Sequence, residues 1–392
     1  MRKWIVARAE LIRLIRPARH RMLSAFCISV FSIFVLATGS VANAESGNFG
    51  KPGDPIHLVV GYQPYATLTW DGAVLRKKEY WKKYLPAGST VTFQIGLAGA
   101  IIVNQMLAGK QQVGWLSATP AIIASTKQSV ADIRLVGVVD QDNLCNIALV
   151  RADAPKFKNS KEALQWLNGK TVAVPQGSCA DLFGRAVLKK ENVKPAAYLN
   201  QSLEVIASGY RAGKLDGSFQ WEPTTSKLVQ EKLARVVAYG EEFGASDSCY
   251  IVMRADLIKQ RPDVVKGLLN AELDAQLFMA DSKNANELVD IVANQINGFT
   301  KKVLWHSLYG AYPAIQYKSN VRMNLPFVFT PSVMNNIKES AVFLHSINAI
   351  NTSDLRSDAV MNEFAEQVLK ERGFKSPIGA IHALPDSEFR GN

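Results

Sequence analysis

The chain has 392 residues, of which 48% are hydrophobic and 20% charged, and its mean hydropathy is zero. This composition supports a large buried core and excludes both a disordered chain and a transporter with many membrane spans. The net charge is +11, and the first 44 residues alone carry seven basic side chains against one acidic one. The remaining positive charge is spread evenly without a basic block, so we expect no nucleic-acid partner.

The N-terminus has the order of segments that is typical of a secretory signal peptide. Basic residues precede an apolar run from Met22 to Leu36, and small residues then lead to an A-x-A site that ends at Ala44. This pattern predicts a signal peptide at 1–44, cleavage after Ala44 and a periplasmic protein. The alternative is a single anchoring helix, although no basic segment follows the apolar run.

An odd number of cysteines, Cys145, Cys179 and Cys249, remains after that cleavage. Because thiols are oxidised outside the cytoplasm, one intramolecular disulfide is possible and one cysteine is left over. The sequence contains no HxxxH or CxxC pattern, so we expect neither a metal site nor a cofactor.

Apolar β-rich runs alternate with helical patterns along the chain, which predicts an α/β layer structure. The predicted strands are 56–62, 91–96, 112–117, 134–139, 146–151, 171–175, 216–220, 235–240 and 250–254. Two helices are predicted early, at 71–84 and 103–108. From Asp256 onward the pattern is helical almost throughout, with a long amphipathic helix from Pro262 to about Ala280.

One segment of the sequence is repeated in outline. AGKQQVGWLSATPAI (108–122) and AGKLDGSFQWEPTTS (212–226) share Ala-Gly-Lys, a strand-like run and a proline. Ala-Gly-Lys is typical of a helix end, and proline suits the first turn of a helix. We therefore expect the chain to build one helix–strand–helix unit twice.

A second echo pairs CNIALVRAD (145–153) with CYIVMRAD (249–256). We interpret these segments as two equivalent strands that cross between two lobes. The expected lobes are 55–145 with 250–392, which includes the C-terminal helices, and 146–249. Two lobes joined by two hinge strands can close on a ligand. The echo also predicts that Cys145 and Cys249 lie side by side in a disulfide, which leaves Cys179 free.

Ligands of open α/β sheets bind beyond the carboxyl ends of the strands, where helix N-termini offer unpaired N–H groups. The loops at these positions therefore supply the candidate site. Its residues are Gln63, Tyr65, Gly99, Ser117, Thr119, Gln176, Ser178, Cys179, Asp181, Trp221 and Glu222.

At these loops the sequence resembles the periplasmic binding proteins of ABC importers for sulfonates, taurine and nitrate. The resemblance covers about residues 56–281 and rests on several segments in order: GYQ (61–63), ATPAIIA (118–124), GKTVAVPQGSCADLF (169–183), QWEP (220–223) and YIVMRADLIKQRPDVV (250–265). It implies a two-lobed fold of the Venus flytrap type and capture of a small polar solute. It further implies delivery to an ABC permease at the inner membrane by a monomer without catalytic residues. Two alternatives are an enzyme similar to thiamine-pyrimidine synthases and a sensor subunit that presents its ligand to a receptor.

Two carboxylates make the charge of the solute ambiguous. Relatives often carry a histidine after Gly-Ser, whereas this chain has Asp181. Asp181 and Glu222 either stabilise the first turns of helices, where negative charge is favourable, or meet a cationic group of the ligand. The first arrangement fits a simple anion and the second a zwitterion or an amine.

Other residues also allow two interpretations. Trp221 and Tyr65 are candidates for the cavity wall, whereas Trp115, inside a strand, is expected in the core. Trp305, His306 and Tyr309 are expected to form a packing stripe on a helix. Cys179 at a helix N-terminus could be a reactive thiol, but no base stands at a recognisable spacing.

Overall fold

A computed structural model of the chain describes residues 47–310 and 320–391. The predicted signal peptide, 1–44, and its cleavage after Ala44 lie outside these residues. Across the described ranges, every helix is too short or too polar to cross a membrane.

Two mixed β-sheets divide the described residues into two lobes. The strands are β1 (His57–Tyr62), β2 (Thr90–Ile95), β3 (Val113–Ser117), β4 (Ile133–Asp142), β5 (Ile147–Arg151), β6 (Thr171–Val174), β7 (Ala197–Asn200), β8 (Gly217–Gln220), β9 (Ala234–Tyr239), β10 (Asp247–Arg254), β11 (Val321–Leu325) and β12 (Gly379–His382). The first lobe contains the sheet β12-β11-β4-β10-β3-β1-β2, and the second contains β7-β6-β8-β5-β9. The predicted two-lobed α/β fold is confirmed.

Helices cover the sheets and alternate with the strands along much of the chain. They are α1 (Trp70–Lys78), α2 (Gly99–Leu107), α3 (Ala118–Ser125), α4 (Ser160–Trp166), α5 (Cys179–Lys190), α6 (Leu203–Arg211), α7 (Thr224–Gln230), α8 (Ala255–Gln260), α9 (Pro262–Ala280), α10 (Ala285–Ala293), α11 (Lys301–Leu308), α12 (Pro331–Ser346) and α13 (Glu363–Arg372). The predicted helix 71–84 ends early, because Glu79 adopts a left-handed conformation with φ of 52°. Helix α2 begins at Gly99, four residues before its predicted start. Residues predicted to lie in the loop therefore form its first turn.

The repeated unit is confirmed and lies once in each lobe. Gly109 and Gly213 have positive φ angles of 74° and 65°, which only glycine adopts without strain, and they follow α2 and α6. Strands β3 and β8 come next, and helices α3 and α7 follow them. Each of these strands lies in its sheet beside the first parallel strand of the lobe, β1 or β6.

The second echo marks equivalent strands, but they are not neighbours. Strand β5 pairs antiparallel with β8 in the second lobe, and β10 pairs antiparallel with β3 in the first. The prediction that these two segments lie side by side is therefore wrong. The chain crosses between lobes before β5 and before β10, and the start of the first crossing lies beside the end of the second because Asp142 of β4 is paired with Asp247 of β10.

The C-terminal region is less purely helical than predicted. Strands β11 and β12 add to the edge of the first-lobe sheet, and β11 pairs with β4. Strand β7 of the second lobe was also missed. These strands are only four or five residues long, too short for the alternation of polar and apolar residues to stand out.

Buried aromatic side chains fill the core of the first lobe as expected. Trp115 is 2% exposed, and its Nε1 donates to Glu272 Oε2 at 3.1 Å. Trp305 and Tyr309 are buried with ring centroids 4.9 Å apart. These residues stabilise the lobe, and none of them lines the cavity described below.

Candidate functional site

An inner cavity of about 200 Å³ lies between the two lobes. The first lobe contributes the turn after β1 and the first turns of α2 and α3, and the second lobe contributes the turn from β6 into α5. Seven of the predicted ligand-binding residues line it: Gln63, Gly99, Ser117, Gln176, Ser178, Cys179 and Trp221.

Three helix N-termini face this cavity. Helices α2 and α3 begin after Ala98 and Ser117, and neither of these residues makes a side-chain capping hydrogen bond. Helix α5 begins after Ser178, whose Oγ accepts from Asp181 N at 3.3 Å and donates to the Pro175 carbonyl at 2.6 Å. Because first-turn N–H groups and the helix dipole both favour negative charge, the three ends together form a surface suited to an anion.

The cavity wall itself is electrically neutral. Within the described parts of the chain, no Asp, Glu, Lys, Arg or His side chain lines it. Its polar side chains are amides and hydroxyls, among them Gln63, whose Nε2 donates to the Trp115 carbonyl at 3.2 Å. Charge recognition here must therefore come from backbone dipoles rather than from an ion pair.

Asp181 is turned away from the cavity. It is fully buried in the first turn of α5, where Oδ2 accepts from Gly177 N at 3.0 Å. Its Oδ1 accepts from Arg185 Nε at 2.8 Å and from Tyr198 OH at 3.0 Å. These contacts are those of a carboxylate that stabilises a helix N-terminus.

Glu222 is also held inside the second lobe. Its carboxylate accepts from Ser226 N at 2.9 Å and from Ser226 Oγ at 3.0 Å, in the first turn of α7. The side chain is 2% exposed, and burial raises its pKa to about 7. Its carbonyl accepts from Thr67 N of the first lobe at 3.1 Å, so the backbone here joins the lobes.

Two further predicted residues do not line the inner cavity. Thr119 is fully buried, and its Oγ1 has no hydrogen-bond partner in the described ranges. Tyr65 lines a second space of about 600 Å³, which we call the outer groove. The outer groove shares Ala98, Pro175 and Trp221 with the inner cavity, so the two spaces adjoin.

The disulfide joins Cys145 to Cys179, and the predicted bond between Cys145 and Cys249 is wrong. The bonded Cα atoms are 6.1 Å apart, and both residues line the inner cavity. Cys249 is a buried free cysteine, because β10 is enclosed between β3 and β4 in the first-lobe sheet. A bonded Cys179 has no thiol, which removes it as a candidate nucleophile while the bond persists.

A group of buried carboxyls lies behind the cavity, where the chain crosses between lobes. Asp140 Oδ1 accepts from Cys249 N at 3.1 Å, and Asp247 accepts from the backbone of Ala118. Burial raises the pKa of Asp140 and Asp247 well above the usual range and that of Asp142 to about 6. The neutral forms of Asp140 and Asp247 are thereby favoured, which limits the negative potential behind the cavity.

Sequence reasoning missed this group. Asp140, Asp142 and Cys249 each offer one potential metal-binding atom, and these three atoms lie within 4.8 Å of one another. Two carboxylates and a thiol at this spacing could hold a cation. The expectation of no metal therefore stays a prediction. Asn104 and Val103 of α2 also line the inner cavity and were missed, because only loops at the ends of strands were taken as candidate positions.

The fold is that of the periplasmic binding proteins. The chain superposes on the alkanesulfonate-binding protein of Xanthomonas axonopodis pv. citri bound to MOPS with a TM-score of 0.62 and 17% identity, covering 79% of this chain and 99% of that one. For the nitrate-binding protein of Synechocystis PCC 6803 the TM-score is 0.66 at 12% identity, covering 82% and 90%. At these identities the likeness establishes the fold.

The sequence assigns the family. The model of the NMT1-like family matches residues 53–293, more than half of the chain, and the chain belongs to that family. It is also similar to the taurine-binding periplasmic protein of Escherichia coli (strain K12), with 28% identity over 195 residues. That alignment covers 48% of this chain and 58% of the relative, so the chain matches little more than half of that protein's length.

Proposed function

We propose that this protein is the extracytoplasmic solute-binding protein of an ABC importer and that it captures a small organic anion of the sulfonate type between its lobes. The observation that carries the proposal is the convergence of three helix N-termini from both lobes on one cavity with a neutral wall. Closure around the solute excludes water and strengthens each polar contact. The relatives named for taurine, alkanesulfonate and nitrate support the same chemistry.

The arrangement explains how an anion is held without a cationic side chain. Each exposed helix end contributes about 0.3–1 kcal/mol, and more when it is partly buried. Asp181 and Glu222 serve as internal partners of their own helices, so neither opposes the anion across the cavity. The protein then delivers the bound solute as a monomer to a membrane permease, in the periplasm, and performs no chemistry on it.

Ligand-induced stabilisation of the purified protein tests the proposal. The ligands are methanesulfonate, taurine, nitrate and phosphate, and the readouts are thermal unfolding and calorimetric titration. A ligand at a hundred times its Kd adds about 2.7 kcal/mol to the free energy of unfolding. Binding to neither methanesulfonate nor taurine would contradict the proposal, and recovery of a chemically altered ligand would favour the enzyme alternative.

A matched pair of capping variants tests whether the anion binds in the inner cavity. Ser178→Ala removes the cap of α5, and Thr330→Ala removes the cap of α12, where Thr330 Oγ1 accepts from Val333 N at 3.4 Å. Each change should cost about 1 kcal/mol of stability. Only Ser178→Ala should raise the Kd for the anion, because only Ser178 lines the cavity.

A further inference from the structure

Four side chains with metal-binding atoms project together where β4 ends and β10 begins. Asp142 is the partner of Asp247 in the ladder between these strands, and Asp140 is the partner of Cys249. Because alternate residues of a strand point to the same face of a sheet, all four side chains lie on one face. We call these four residues the crossing quartet. Like charges that face each other across a sheet are destabilising, so its three acids require protons or a cation between them.

Each aspartate of the crossing quartet leaves one oxygen without a hydrogen-bond donor. Asp140 Oδ1 accepts from Cys249 N at 3.1 Å, and Asp142 Oδ1 accepts from Leu144 N. Asp247 accepts from backbone amides. Across residues 47–310 and 320–391, no donor reaches Oδ2 of any of the three aspartates, although each of these residues is at most 3% exposed. A buried oxygen without a partner is costly, which points to an occupant of the crossing quartet.

The neighbouring charges do not balance those of the quartet. Arg322 is 2% exposed and attracts the carboxylate of Asp142. Asp71, which is also buried, adds to the repulsion at Asp140. One guanidinium cannot neutralise three carboxylates and a thiolate. Either Asp140 and Asp142 keep protons, or a divalent cation replaces these protons and supplies the missing positive charge.

The atoms that the quartet offers favour zinc. Asp140, Asp142 and Cys249 each offer one ligand atom, and the three atoms lie within 4.8 Å of one another. Bonds from zinc to oxygen and sulfur are about 2.0–2.3 Å long, so ligand atoms of a tetrahedral zinc lie roughly 3.5 Å apart. Small rotations of the three side chains bring them to that spacing. Mg²⁺ and Ca²⁺ prefer oxygen alone and Cu(I) prefers sulfur, whereas Zn²⁺ binds both.

We propose that this protein binds Zn²⁺ at the crossing quartet, with Asp140, Asp142 and the Cys249 thiolate as ligands and with Asp247 or a water molecule in the fourth position. Binding releases to solvent the protons that these groups hold in the metal-free protein. The ion joins the strand that leaves the first lobe to the strand that returns to it. Asp140 and Cys249 are 109 residues apart in the sequence, so no short spacing motif marks the site. The inference goes beyond the proposed function, because the quartet does not line the inner cavity.

Metal analysis of the natively purified protein tests the inference. The chain is expressed in medium supplied with Zn²⁺ or with Co²⁺ and is passed over a chelating resin. We expect a single zinc ion per chain by elemental analysis and a higher unfolding temperature than for protein from metal-depleted medium. The cobalt form should show a thiolate-to-metal charge-transfer band in the near ultraviolet. Protein that retains no zinc, or a cobalt form without this band, would show that protons fill the quartet and would overturn the inference.

Asp142→Asn and Cys249→Ser locate the ion. Asp142→Asn removes one of the repelling charges, and its amide oxygen can still accept from Leu144 N, so this variant should fold without metal. It should lose the zinc and the thermal stabilisation by zinc. Cys249→Ser should lose the charge-transfer band. Glu222→Gln, a buried acid of the second lobe, is the matched control and should keep the zinc. Unchanged zinc content in Asp142→Asn would contradict the assignment, whether or not Cys249→Ser folds.

A neighbouring group supplies the competing site. The ligand atoms of Cys145, Cys179 and Asp247 also lie within 4.8 Å of one another, and the two cysteines can bind a metal only when their disulfide is reduced. The double variant Cys145→Ser/Cys179→Ser should therefore keep the charge-transfer band. Loss of the band in this double variant and its persistence in Cys249→Ser would place the metal at the disulfide cysteines and overturn the inference.

Discussion

Gly99, the first residue of α2, lies directly against the ring of Pro120 in α3. A Cβ atom at position 99 would stand 2.6 Å from Pro120 Cγ and 2.8 Å from Pro120 Cβ, closer than real Cβ contacts allow. Both residues line the inner cavity. The absence of a side chain at Gly99 thus lets two helix N-termini approach each other at the position where we place the anion.

Gly99→Ala should therefore separate these two helix ends. Overpacking of this kind costs about 1–3 kcal/mol of stability. We expect a roughly tenfold increase in the Kd for methanesulfonate, measured by calorimetry, because the N–H groups of α2 and α3 no longer converge. In a Pro120→Gly background, which removes the opposing atoms, the same substitution should have little further effect. Equal losses in both backgrounds would contradict the packing argument.

Asp181→Asn tests whether this carboxylate serves the helix or the ligand. An amide cannot replace the contacts to Gly177 N and Arg185 Nε together, so we expect a loss of about 1–3 kcal/mol in chemical unfolding. The Kd for an anionic ligand should stay the same or fall slightly, since one negative charge near the cavity is removed. Selective loss of binding to an amine-bearing ligand would instead show a direct contact with Asp181.

The disulfide between Cys145 and Cys179 should stabilise the second lobe. The bond spans 34 residues, and loop-closure entropy for that length corresponds to roughly 4 kcal/mol. Reduction, or Cys179→Ser, should lower the urea midpoint, whereas Cys249→Ala should leave the sensitivity to reductant intact. Peptide mapping of the unreduced protein should yield the 145–179 cross-link, and a 145–249 cross-link would refute the pairing.

The stability of the fold should decrease as pH rises through the titration of Glu222. Burial raises the pKa of Glu222 from 4.5 to about 7, so the folded state binds more protons than the unfolded state between these values. The associated loss between pH 4.5 and pH 7 is roughly 3 kcal/mol at 1.36 kcal/mol per pKa unit. Other buried acids with raised pKa, such as Asp247, add to the same trend.

Urea unfolding of Glu222→Gln at pH 5, 6, 7 and 8 measures this contribution. The variant should show a shallower decline than the wild type and should gain relative stability at pH 8, because glutamine stays neutral. Glu339→Gln, at an exposed position on α12, controls for the change in net charge. An unchanged pH profile in Glu222→Gln would show that this carboxyl is not the titrating group.

Local patterns in the sequence were enough to predict much of the architecture. Gly109 and Gly213 end equivalent helices, and Pro262 begins α9, as each was predicted to do. Such features depend on the conformational limits of single residues, which act whatever the rest of the chain does. The loops that line the cavity could be located for a related reason, since a strand that leads into a helix places its turn at the edge of the sheet.

Periodicity, internal repetition and turn chemistry were enough to predict the two-lobed α/β fold, the repeated unit and seven of the residues that line the cavity. The pairing of the cysteines, in contrast, depends on long-range packing. The echo placed Cys145 and Cys249 at equivalent positions, yet Cys145 lies in the turn before β5 whereas Cys249 lies inside β10, and Cys179 approaches Cys145 across 34 residues of chain. The direction of Asp181 was likewise undecided from the sequence, because Arg185 stands one turn along the same helix but Tyr198 is brought beside the carboxylate only by tertiary packing.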